Sequence, residues 1–105
     1  MTDLMIIFRV GEPPEFREVD AAPTLEELQA LVGGYIEIPG GTIRLSNGDR
    51  AQMILNEEGL LQGLPPNQIG TVFAVHLMKS AGCQLAINHI MVGTVVILIN
   101  KACVE

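Results

Sequence analysis

Tryptophan is absent, and with one tyrosine and three phenylalanines the aromatic share of the 105 residues is 4%. A core with so few rings must be aliphatic, built on Leu, Ile, Val and Met. Bases are scarce as well: six Lys and Arg against twelve Asp and Glu give a formal net charge of -6. Phosphate binding is dominated by Lys and Arg, so this balance disfavours a nucleic-acid duplex as partner. The two cysteines, Cys83 and Cys103, are too few to staple a fold and are expected as free buried thiols. The longest apolar run, Ile90 to Ile99, is interrupted by Gly93 and Thr94. It falls far short of the roughly 20 residues that span a bilayer. No basic segment precedes an apolar stretch at the N-terminus, so no signal peptide is expected and the chain reads as soluble and cytoplasmic.

Hydrophobic residues make up 49% of the chain and charged residues 17%, a globular composition. One domain over 1–105 is expected, large enough to bury roughly two-thirds of its unfolded surface. Charge is unevenly spread. Residues 1–58 hold eleven acids and four bases, whereas 59–105 hold Glu105 against Lys79 and Lys101. The second half therefore needs cover, from the first half or from another copy of the chain.

Leu4 to Val10 reads as a buried strand ending at Gly11-Glu12-Pro13-Pro14, and Glu15 to Asp20 as a charged edge strand pairing back on it. Thr24-Leu25-Glu26-Glu27 has capping-box spacing, Leu25, Leu28, Leu31 and Val32 share a helical face, and Gly33-Gly34 supplies the stop. Tyr35 to Ile38 alternates as a strand. Thr42 to Ser46 and Asp49 to Leu55 flank Asn47-Gly48, which predicts a hairpin with a type I′ turn. Gln68 to Ser80 is expected as a second helix capped by Asn67 and stopped near Gly82, with apolar residues on more than one face. A strand over Thr71 to Val75 is the competing reading. Ile90 to Asn100 reads as a strand buried on both faces. The fold class is α+β: a single mixed or mostly antiparallel sheet, in the order β-β-α-β-β-β-α-β, with two helices packed on it.

Between the hairpin and the second helix lies Asn56-Glu57-Glu58-Gly59-Leu60-Leu61-Gln62-Gly63-Leu64-Pro65-Pro66-Asn67, whose glycines, prolines and flanking asparagines specify a defined loop. Together with the block Leu25 to Glu37 and the late Val92-Gly93-Thr94, it resembles the domain of unknown function 3846 family. The similar blocks span roughly residues 20–100. That family is known mainly from bacteriophages, plasmids and their bacterial hosts, so the resemblance implies a small protein of a mobile element, in the host cytoplasm if phage-encoded. It implies no reaction. One departure is the segment from Pro39 to Asp49, longer than usual for the family, which marks an enlarged hairpin.

Candidate chemistry is thin. His76, Cys83, His89 and Cys103 lack the close ligand pairs of a zinc site, so no metal is expected. The half holding both histidines has no carboxylate before Glu105 to orient a base, and Glu57-Glu58 are read as solvated turn charges, so no catalytic residue is assigned. Pro65-Pro66 lacks the N–H donors a phosphate loop needs. Small-ligand binding fares better. Asn67 at a helix N-terminus leaves N–H groups that can accept an anion, and Arg44 and Arg50 on the hairpin are within conceivable reach. The candidate ligand-binding set is Tyr35, Arg44, Arg50, Asn56, Pro66, Asn67 and His76, with no cofactor.

The expected function is a non-enzymatic protein of a phage or mobile element that binds a small ligand or a partner, such as a nucleotide-derived host immune signal that it sequesters in counter-defence. The alternative is a homo-oligomeric structural or interaction module without a small ligand. Neither reading involves a membrane.

Overall fold

The computed structural model describes residues 3–82 and 90–104. Cys83 and His89 lie outside the described residues. The elements follow the expected order: β1 (Leu4–Phe8), β2 (Glu15–Glu18), α1 (Leu25–Val32), β3 (Ile36–Glu37), β4 (Ile43–Arg44), β5 (Arg50–Asn56), α2 (Gln68–Ser80) and β6 (Val95–Ile99). A 3-10 turn at Asn100–Ala102 follows β6. The strands form one antiparallel sheet in the order β2-β1-β6-β5-β3, and β4 pairs with the start of β5 on the same edge on which β3 pairs with its end.

The last strand is thus the central one. Val95, Val96, Ile97 and Leu98 are all fully buried, as a run of consecutive β-branched and aliphatic residues requires of a strand covered on both faces. Alternation along β1 sends Met5 and Ile7 to one face and Ile6 and Phe8 to the other. α1 packs Leu28 and Val32 on the first face with Ile54, Val96 and Leu98. α2 packs Ala74, Leu77 and Met78 on the second, with Met53, Val95 and Ile97. Burying each large aliphatic side chain contributes about 1.5–3 kcal/mol. The helices therefore lie on opposite faces of the sheet.

Local chemistry sets the ends of both helices. The Thr24 hydroxyl accepts from Glu27 N at 3.2 Å and donates to the Glu27 carboxylate at 3.3 Å. Gly33, at φ 80, closes α1, and the N–H groups of Gly33 and Gly34 both reach Gln29 O. Leu25 is exposed, so the buried face of α1 is narrower than its spacing implies. Residues 71–75, readable as a strand, are helical, with Asn67 as the cap.

Two expectations need correction. Asn47-Gly48 does not fill both positive-φ positions of a type I′ turn. Only Gly48 is left-handed (φ 92). Leu45 O accepts from Gly48 N at 2.9 Å and Leu45 N donates to Asp49 O at 2.7 Å, so Ser46 and Asn47 are the central pair and Gly48 makes a bulge. The Asn47 side chain holds this form, accepting from Asp49 N at 3.0 Å. The final strand also starts at Val95 rather than Ile90, because Met91 and Gly93 pair with the loop before α2 instead, through Asn67 N to Met91 O and Gly93 N to Pro65 O, both 2.8 Å.

Candidate binding site

The two ends of the sheet carry different chemistry. At one end Asn100, in a left-handed conformation (φ 56), accepts from Arg50 N at 3.1 Å and donates to Asp49 Oδ1 at 3.1 Å. Arg44 and Arg50 are cross-strand partners there. Arg44 donates to Gly48 O at 3.3 Å and Arg50 to Asn100 O at 3.4 Å. Gln52 clamps the following segment, donating to Val104 O at 2.7 Å and accepting from Val104 N at 2.8 Å.

At the other end, where β5 stops, the Asn56 to Asn67 loop is built around its two flanking asparagines, both buried. Asn56 donates to Val32 O at 3.0 Å and Gln62 Oε1 at 3.1 Å, and accepts from Glu58 N at 2.8 Å. It thereby ties the end of α1 to the end of β5. Asn67 donates to Gly93 O at 2.8 Å and accepts from Gly70 N at 2.9 Å, so it caps α2 and holds the strand leading into β6. A buried amide is retained only where such bonds satisfy it.

Beside Asn56 lies a cleft of about 300 Å³. Glu37 and Leu55, directly paired in β3 and β5, contribute one part of its lining. The loop contributes Asn56, Glu57, Gly59, Leu60 and Leu61, and the approach to β6 contributes Ile90, Met91 and Val92. Gly59 is closely approached: a Cβ there would stand 3.0 Å from Val92 Cγ2, tighter than an ordinary contact. At Gly93, φ is +72 and a Cβ would meet Leu64 Cδ1 at 2.7 Å.

The structure disperses the candidate ligand-binding residues. Asn56 lines this cleft, but its side-chain amide is committed to the bonds just described. Tyr35 is exposed in a separate hollow of about 240 Å³ with Gln29, Gly34, Glu58 and Gln62. Pro66 is exposed and bridges Val92. Asn67 is buried in its cap, and His76 lies on the outward side of α2 beside Gln68, Ile69, Val72 and Phe73. Arg44 and Arg50 are not brought to Asn67. β5 runs from Arg50 to Asn56, which at about 3.4 Å per residue puts the arginine pair roughly 20 Å from the loop. An arginine-backed anion site at the α2 N-terminus is not assembled.

Among the described residues no cluster of three or more His, Cys, Asp or Glu is arranged to hold a metal, and no helix is long and apolar enough to cross a membrane. Cys103 is free and buried, its Sγ 3.5 Å from Leu98 O. Burial pushes its thiol up, against smaller opposing effects of Arg50 and the Asn100 backbone.

Residue patterning alone does not single out Leu60, Leu61 and Ile90. The first two are 70% and 88% exposed. The signal they carry is a leucine pair set inside a Gly- and Pro-rich polar loop, where no helical or strand period accounts for it.

Comparison with curated proteins and with solved structures returns no match. The family model described as Domain of unknown function (DUF3846) matches residues 1–102, and the chain belongs to that family.

Proposed function

We propose that this chain is a non-enzymatic binding protein whose cleft holds a small ligand with an apolar body and a positively charged group. The observation that carries this reading is the cleft lining. Leu55, Leu60, Leu61, Ile90, Met91 and Val92 offer apolar contact, and Glu37 and Glu57 are the charged groups among the described lining residues. A volume of about 300 Å³ lies at the lower end of small-molecule sites. All three stretches that carry the family resemblance contribute to it, through Glu37, through Asn56, Glu57 and Gly59, and through Val92.

A nucleotide-derived signal, the occupant expected from the phage and plasmid setting of the family, is the less favoured ligand. No Lys or Arg is among those lining residues, and a net charge of -6 repels an anion. Sequestration remains the proposed mode of action: a ligand held here is withdrawn from the host without being transformed.

The test is an NMR titration with n-hexylamine and, separately, with a cyclic dinucleotide. The amide signals of Glu57, Leu60, Ile90 and Val92 are expected to move with the amine and to stay still in a Glu37→Gln/Glu57→Gln variant. Unmoved signals with the amine overturn the proposed ligand class. Movement with the nucleotide instead restores the anionic reading.

A further inference from the structure

α2 carries two apolar ladders. Gly70, Ala74, Leu77 and Met78 face the sheet and are buried. On the outward side Ile69 and Val72 are 58% and 69% exposed, and with Gln68, Phe73 and His76 they line a shallow groove of about 560 Å³. Positions 69, 72, 73 and 76 repeat at the i, i+3, i+4, i+7 spacing with which one helix packs on another. Phe73 is half-buried and also packs on Phe8, with ring centroids 5.0 Å apart, whereas Ile69, Val72 and His76 are left exposed.

Charge identifies what covers it. From Gln68 to Ser80 the chain has no acid, and Lys79 is its one permanent charge. Glu26 and Glu27 open α1, on the opposite face of the sheet. On the α2 side, Glu18 and Glu37 lie on the outer strands β2 and β3, placed there by their pairing with Leu4 and Leu55. Two copies that each carry -6 repel one another, and they approach at lower cost through the outward side of α2, which itself carries no acid, than through a face rich in Glu and Asp. No Lys, Arg, Asp or Glu lines the groove, so two copies of it meet without repulsion between permanent charges inside a two-fold contact.

We propose that the outward ladder of α2 is a homodimer contact in which the α2 helices of two copies pack together, independently of what the cleft holds. α2 has 13 residues and is therefore about 20 Å long. A single helix pair of that length buries less than the ~800 Å² per partner of a standard stable interface. The dimer is accordingly concentration-dependent. Because apolar contact works against like-charge repulsion, it tightens as salt screens the acids.

Analytical ultracentrifugation of the full chain over roughly micromolar to millimolar concentrations tests this. The apparent mass is expected to climb from 11.3 kDa toward twice that value, and to climb earlier in high salt. Val72→Glu is expected to stay monomeric throughout with an unchanged thermal midpoint, since the position is exposed and glutamate is a good helix former. Glu26→Arg, on the far face, leaves the association in place. Wild-type protein that stays monomeric across the range overturns the proposal. So does association that Val72→Glu leaves intact, which places the contact on another surface, or association that weakens with salt, which makes ion pairs its basis.

Discussion

Asn67 Nδ2 donates to the carbonyl oxygen of Phe8 at 2.7 Å, joining residues 59 positions apart. The same nitrogen reaches Gly93 O, and Oδ1 caps α2 through Gly70 N. One buried amide thus holds three segments. Asn67→Ala removes the side-chain partner of two carbonyls and of a helix N–H, and is expected to cost about 2–4 kcal/mol in chemical denaturation. Asn67→Asp preserves the cap but turns a charge on the two carbonyls, so it should be no better tolerated. A loss below 1 kcal/mol for both would show that the asparagine is dispensable.

Gly70 decides between two opposing effects. In a helix interior, alanine for glycine normally gains about 1 kcal/mol. Here a Cβ would stand 2.9 Å from Asn67 Oδ1 and 3.0 Å from Val95 Cβ, a collision with the cap and with the central strand. Gly70→Ala is therefore expected to lower the thermal midpoint, and a raised midpoint would contradict the close approach of α2 to β6.

Cys103 should behave as an inert thiol. Its burial against Leu98 O pushes the pKa up, so the thiolate that reacts with alkylating agents is scarce. In a Cys83→Ser background, iodoacetamide labelling near pH 8 is expected to be slow in the folded protein and fast after unfolding. Equal rates would place the thiol at the surface.

The acid limb of stability has a named contributor. Glu15 accepts from Arg9 at 2.7 Å and from Arg17, and its carboxyl is held below the usual glutamate range, first by the Arg17 hydrogen bond and then by that of Arg9. A depressed folded-state pKa contributes stability that is fully present above the unfolded value and is lost as pH falls through the folded one. Glu15→Gln should flatten that part of the pH–stability curve while leaving neutral-pH folding intact. NMR titration of the Glu15 carboxyl should give a midpoint below that of a free glutamate.

Much of the fold is legible wherever local chemistry and the final packing agree. The helix from Thr24 to Gly33 has cap, ladder and stop in one short stretch, and β6 announces its central place by an unbroken apolar run. The turn at Asn47-Gly48 is misread because the Asn47 side chain bonds to Asp49 and outweighs the backbone preference of the dipeptide. The site is far less legible. Asn56 and Asn67 attract notice as polar residues in a specified loop, yet burial turns both into braces, a role that depends on Val32, Phe8 and Gly93, which are remote in sequence. Arg44 and Arg50 lie close to the loop in sequence, but a seven-residue strand carries them to the other end of the sheet. The cleft joins Glu37, the loop and Ile90 to Val92 through strand pairing and a single bridge, which no spacing rule encodes.

The central position of β6 also governs when the protein can fold. The β1–β2 and β4–β5 hairpins close over short loops and can form as soon as they are synthesised. They cannot join each other, because the strand that pairs with both β1 and β5 follows them in the chain. Until residues 95–99 are in place, the backbone edges of β1 and β5 that β6 occupies are unpaired and open to wrong pairing. Completion is a late, long-range step. For the sheet to close, one strand must find β1 and β5 together.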